Sequence, residues 1–227
     1  NTVALGHTRL AIVDISDNGS QPMHSVSERY IIVFNGEIYN HLDLRDELEL
    51  INSSIAWRGH SDTETILNSI DIWGIEKTLK KIYGMFAMAV WDTKDERLYL
   101  ARDRAGEKPL YYFQTNGLIL FASEPKAFFE IPNFFQLTSI DQSAVSEFLK
   151  FSYVPDSISI FKSMGKVEPG SMISFDGVDA KPHKNDYWSF YKTEELGFKP
   201  TFYVVEDKHV LNKTTAGNVT NMKKFLT

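Results

Sequence analysis

Strands that pair off as hairpins, with helices gathered in a block between them, predict an α+β fold and not a parallel, doubly wound sheet. The chain has 227 residues, 43% hydrophobic and 13% aromatic, enough to bury a sizeable core in one large domain or two small ones.

The elements follow in order. Thr8 to Ile15 is apolar enough for a strand and is followed by a turn at Asp17-Asn18-Gly19. Tyr30 to Phe34 is the next strand, with Asn35-Gly36 at its end. Leu44, Leu48 and Ile51 fall on one helix face, and Asn40 stands where an N-cap belongs. A second helix starts at Ser61, which forms a capping-box pattern with Glu64; Ile66, Ile70 and Trp73 make its apolar stripe. Ile75, Leu79 and Ile82 predict a third helical segment, ended by Gly84. The segments 85–92 and 97–103, joined by a polar turn, form one hairpin; 110–114 and 118–123, joined at Thr115-Asn116-Gly117, form another. A short helix follows Ser123, and Asp141 caps a helix carrying Val145, Phe148 and Leu149. A late strand covers 172–175, ahead of Asp176-Gly177. From about Thr193 the periodicity weakens, with the start of a further helix at 218–226.

Composition removes several functions. A net charge of −6 with no basic stripe argues against nucleic-acid binding through phosphate neutralisation. No apolar run reaches the roughly eighteen residues of a transmembrane helix. The absence of cysteine removes disulfides and thiolate metal sites. The six histidines show no metal-ligand spacing, so no metal site is expected. Phosphate-binding glycine loops and the GxSxG nucleophile elbow are also missing.

What remains is a set of polar residues at element ends. Asn35-Gly36 has two readings: a hairpin turn, or a side-chain amide beside a backbone N–H that converge on one developing negative oxygen. Arg9 lies inside an apolar segment and reads equally as an edge-strand residue facing solvent. Asp62 sits in the first turn of a helix and reads equally as a complement to the helix dipole.

A resemblance selects among these. LGHTRLAIVD, VFNGEIYNH, GHSDTETIL, YGMFAMAVWD, ARDRAGEKPLYY and FASEPKA occur in that order, followed by SYVPDSISIFKSMGKVEPGS at 152–171. Over about residues 4–190 the chain closely resembles the glutaminase domain of glutamine-hydrolysing asparagine synthetases. The resemblance implies an N-terminal nucleophile hydrolase fold, a four-layer αββα sandwich of two antiparallel sheets. It implies a glutaminase domain over 1–192 that lacks its N-terminal nucleophile strand. Residues 193–227 would be a connecting segment to an ATP-dependent synthetase domain. By resemblance Arg9 holds the α-carboxylate of glutamine, as its planar fork suits, and Asp62 accepts from the α-ammonium. Leu10, Ile12 and Val13 line the same pocket through backbone groups, and Glu37 adds a polar wall. Asn35 and Gly36 become the oxyanion hole, where losing one donor typically costs about 3–4 kcal/mol of barrier.

The chain departs from the family in three ways. The family's nucleophile is an N-terminal cysteine, with the chain's α-amine as proton acceptor; with no cysteine, this chain is expected to be inactive as written. The SGGxDS loop that binds ATP pyrophosphate is missing. ATP and magnesium are therefore expected in a synthetase half beyond this chain, with no cofactor in the chain itself. The family usually has an aromatic at Ala105 and an apolar residue at Glu107. The resemblance implies a parent enzyme that releases ammonia from glutamine to amidate aspartate, with glutamine and a synthetase domain in cis as partners. Cytoplasmic residence and a homodimer are compatible with it. The alternatives are the same domain serving another acceptor (a β-lactam, sugar or peptide) and a catalytically dead glutamine-binding domain.

Overall fold

The computed structural model describes residues 2–8, 16–115, 117–155 and 158–189, together with the backbone of 202–206 and 209–214. The chain divides into two compact units, Asn1–Trp188 and Ser189–Thr227. In the first, a 3₁₀ turn (Asp17–Gly19) leads to β1 (Met23–His24) and β2 (Tyr30–Ile38), then to α1 (His41–Ile51), α2 (Asp62–Trp73) and α3 (Ile75–Lys81). Next come β3 (Gly84–Asp92), β4 (Arg97–Arg102), β5 (Tyr111–Thr115) and β6 (Leu118–Ala122). A second 3₁₀ turn (Pro125–Glu130), α4 (Phe134–Leu137), α5 (Gln142–Phe151), β7 (Met164–Lys166), β8 (Ser171–Phe175) and β9 (His183–Asp186) complete the unit.

The strands form a six-stranded sheet in the order β1-β2-β3-β4-β8-β9 and a three-stranded sheet in the order β6-β5-β7. Every pairing is antiparallel. The period-two alternation of side chains assigns the layers. On one face of the large sheet, Ile32, Phe34, Ile38, Phe86, Met88 and Val90 pack with Leu44 of α1, Ile66 and Ile70 of α2 and Leu79 of α3. From the opposite face, Val33, Ala87, Ala89, Leu98 and Leu100 meet Leu110, Val167, Tyr112 and Phe121 from the region of the small sheet. The small sheet's outer face brings Phe113 and Met164 against Phe128 and Phe134. Three cores thus separate four layers: helices, large sheet, small sheet, and an outer layer of the second 3₁₀ turn and α4. This is the expected αββα sandwich.

Several local expectations are corrected. β2 does not turn at Asn35-Gly36. It runs nine residues through it, with Asn35 opposite Ala87 and Gly36 opposite Phe86. Gly84 does not end α3, whose C-cap is Ile82; it opens β3, where a Cβ would stand 2.0 Å from the Glu37 carbonyl oxygen. Asn40 occupies the N-cap of α1 without a capping bond, its amide instead bridging Lys81 O and Tyr83 N. Leu44 and Leu48 are buried but Ile51 is exposed. Ser61 caps α2 by accepting from Thr63 N, but Glu64 does not close the box; it accepts from Arg58 N and Gly59 N. From Asp62 to Ile70 every residue of α2 is buried, so the helix is enclosed and not striped. Asp141 caps α5 by accepting from Ser143 N, while Phe148 and Leu149 face solvent.

Thr8 has no regular structure, and 9–15 lie outside the described residues. In the second unit, β10 (Phe202–Glu206) and β11 (His209–Thr214) pair antiparallel where the sequence showed no element. The helix expected at 218–226 lies outside the described residues. Among the described residues no helix is long and apolar enough to cross a membrane.

Candidate active site

The site is built on the margin of β2 that faces away from β3, which among the described residues β1 covers only at Ile31 and Ile32. In an antiparallel strand, alternate residues turn their backbone groups away from the partner strand. Tyr30, Ile32, Phe34, Gly36 and Ile38 turn theirs away from β3, and at each of these except Gly36 a neighbour stands against the strand. Tyr30 exchanges bonds with Ser25, and Ile32 lies opposite Met23 of β1. Phe34 N donates to Gln21 Oε1 at 2.6 Å, and its carbonyl accepts from Gln21 Nε2 at 3.1 Å. Ile38 N donates to Asp62 Oδ2 at 3.0 Å. Gly36 N–H sits between two sealed positions and has no hydrogen-bond partner among the described residues.

A cavity of about 710 Å³ opens at this gap. Val33, Ala87 and Ala89 of the large sheet and Leu110 and Phe121 from the small-sheet side form its apolar walls. Asn35, Gly36, Glu37 and Asp62 all line it, as do Gly6, His7 and Thr8. The structure therefore brings four of the sequence-predicted site residues to one cavity. The other four, Arg9, Leu10, Ile12 and Val13, lie outside the described residues.

Asn35 shares the inter-sheet face with Val33 and donates Nδ2 to Ser123 Oγ at 3.3 Å, just past β6. Gly36 has a reason unrelated to a ligand: a Cβ there would stand 2.1 Å from Met85 O and 2.7 Å from Phe86 Cα, both backbone atoms of β3. Asp62 is 5% exposed and accepts from Ile38 N and, at 2.8 Å, from Thr63 N. Burial pushes its carboxyl above the ordinary range, and the two backbone donors only partly offset that. Burial also lowers the neighbouring His41, against the pull of Asp62.

Sequence reasoning missed Gln21, Ser123 and Lys108, which also line the cavity. No motif marks Gln21 or Ser123; their roles show only once the β2 edge is traced. Lys108 lies in the block ARDRAGEKPLYY, whose buried pair Arg102 and Asp103 holds the loop. Asp103 accepts from Phe86 N, Ala105 N, Glu107 N and Lys108 N, and Arg102 donates to Gly106 O, Lys108 O and Val167 O. Ala105 and Glu107, the two departures in that block, are exposed.

The cavity joins a backbone N–H and a carboxamide to a buried carboxylate, groups that can meet an anionic oxygen and an ammonium. Residues 1–188 match the model of the glutamine amidotransferase domain. The chain belongs to that family. Asparagine synthetase [glutamine-hydrolyzing] 1 of Bacillus subtilis (strain 168) is 40% identical over 172 residues, 76% of this chain and 26% of that protein. Amidase chyE of Penicillium rubens is 32% identical over 198 residues, 86% of this chain and 27% of that protein. The amidotransferase-domain chain thus spans about a quarter of the length of these relatives. The solved glutamine phosphoribosylpyrophosphate amidotransferase from B. subtilis, complexed with ADP and GMP, aligns with a TM-score of 0.54 at 20% identity, over 80% of this chain and 34% of that one. At that identity the likeness speaks for the fold alone. Among the described residues no cluster of His, Asp or Glu is arranged to hold a metal ion.

Proposed function

We propose that the chain is the glutaminase part of an ATP-dependent, glutamine-hydrolysing asparagine synthetase. The observation that carries this reading is the unsealed Gly36 N–H beside the Asn35 amide, in a cavity whose wall holds the buried Asp62 carboxylate. Asp62 takes the α-ammonium of glutamine and Arg9 its α-carboxylate, with Leu10, Ile12, Val13 and Glu37 around them. The side-chain carbonyl then lies at the donors of Asn35 and Gly36. An N-terminal cysteine, which this chain does not contain, attacks that carbonyl, its thiol proton passing to its own α-amine. The carbonyl electrons move onto oxygen, where the two donors hold the charge. Collapse expels ammonia with a proton from the cysteine's α-amine, and water hydrolyses the thioester to glutamate. The ammonia amidates aspartate in the synthetase domain to which residues 193–227 connect. ATP and magnesium belong to that domain, and no described residue is assigned to them.

The test is ammonia release from glutamine. The protein carrying its upstream cysteine is expected to turn over, and Asn35→Ala to lose about 10²–10³-fold in kcat. The chain as written is expected to be inactive; turnover by it overturns the reading. A second reading changes only the acceptor. The Penicillium rubens relative is named an amidase and is 32% identical, so an acceptor other than aspartate is tested by assaying which amide product accumulates.

A further inference from the structure

Gln21 is half-buried, lines the cavity, and belongs to no motif that the function absorbs. Its side chain makes three hydrogen bonds. Oε1 accepts from Phe34 N at 2.6 Å, Nε2 donates to Phe34 O at 3.1 Å, and Nε2 donates to Thr63 Oγ1 at 3.4 Å. A primary carboxamide carries the same acceptor and donors as a peptide group, so here it replaces a strand partner at Phe34. The pattern also fixes which way the amide points. Flipped, it would set oxygen against the Phe34 carbonyl and the NH₂ against the Phe34 N–H.

The consequence is a link between the two halves of the site. Phe34 precedes the donors at 35 and 36; Thr63 follows the carboxylate at 62. β2 is thus tied to the first turn of α2 at both ends of the donor segment: by Asp62 itself at Ile38, and by Gln21 at Phe34. The first tie uses the carboxylate that would bind substrate. The second leaves that group out, and so can hold the donors whether or not substrate is bound.

We propose that Gln21 is a positioning residue for the glutaminase reaction, setting the distance between the donors of Asn35–Gly36 and the carboxylate of Asp62. The inference rests on the reading under Proposed function and deepens it. A glutamine is required by its reach and polarity: glutamate keeps the acceptor but opposes the Phe34 carbonyl, and methionine keeps the length without the bonds.

The test uses the full-length protein and compares wild type with Gln21→Met, Gln21→Glu and Thr63→Val. The glutamine KM and kcat, the affinity for the product glutamate, and inhibition by glutamate γ-semialdehyde are measured. The aldehyde forms a tetrahedral thiohemiacetal whose oxygen meets the same donors. Misplaced donors are expected to lower kcat in Gln21→Met and Gln21→Glu by roughly 10- to 100-fold. Aldehyde affinity is expected to fall in parallel, while KM and glutamate affinity stay within about threefold. Thr63→Val, losing only the longest of the three bonds, is expected to shift kcat and aldehyde affinity in the same direction by a few-fold. Unchanged kcat in the Gln21 variants overturns the proposal. So does a uniform loss of kcat, glutamate affinity and melting temperature, which marks a merely structural role. If the Gln21 variants do not fold, Thr63→Val decides, and an unaltered kcat there counts against the proposal. A wild-type protein that releases no ammonia instead overturns the functional reading beneath it.

Discussion

Gly36 carries two demands at once: its N–H faces the cavity, and its missing side chain lets β3 come close. Gly36→Ala is expected to destabilise the fold by about 2–4 kcal/mol, because the atoms it meets are backbone and cannot rotate away. The check is the urea midpoint without any ligand, where a change confined to catalysis would not appear. Asp62 gives a pH prediction. Its carboxyl is held above the ordinary range by burial, and an ammonium ligand needs it ionised. Glutamine affinity is therefore expected to fall as pH drops through this raised pKa, beginning above the ordinary Asp value of about 4. In Asp62→Asn the binding should be weak and that acid arm absent, as a pH series of KM will show. The sequence exposed these residues only through the resemblance. Asn-Gly reads as a turn by local preference, and only the nine-residue register with β3 overrides it.

At the scale of elements, the hairpins and the caps at Ser61 and Asp141 were legible because they depend on neighbours in sequence. The β3–β4 hairpin closes over Asp92, whose carboxylate accepts from Arg29 Nε and Nη2 and from Lys94 N and Asp95 N. Burial pushes the Asp92 carboxyl up, but Arg29 and the turn amides outweigh it and leave it lowered. A lowered acid adds stability that is fully present above its unfolded pKa and is lost as pH falls through the folded one. Asp92→Asn is expected to cost about 2–4 kcal/mol at neutral pH and to flatten the acid side of a melting-temperature profile. Where an element's face depends on distant layers, the sequence reading failed. Ile51 and Phe148 sit at helical spacing yet face solvent, and α2 is buried on all sides because sheet and helices enclose it.

Across the whole first unit, the αββα order follows from three cores, the outer two each filled by one sheet face and the middle one by a face of each sheet. The α+β class was readable from the hairpins and the grouped helices; the stacking came only through the resemblance, since local pattern does not say which face meets which. Phe113 is fully buried in the outermost core, its ring 5.3 Å from that of Phe134. Phe113→Ala is expected to cost about 3–5 kcal/mol through the cavity it leaves. Denaturant unfolding should show this, with fluorescence and circular dichroism transitions still coincident if the layers melt together.

The border of β2 has one further effect. An uncovered sheet margin invites another polypeptide to add itself, the usual route to self-association. Among the described residues the margin is stoppered on both flanks by the Gln21 amide and the Asp62 carboxylate, and the breach between them is a single residue wide. A breach of that length is too short to template a foreign strand, so it does not seed aggregation.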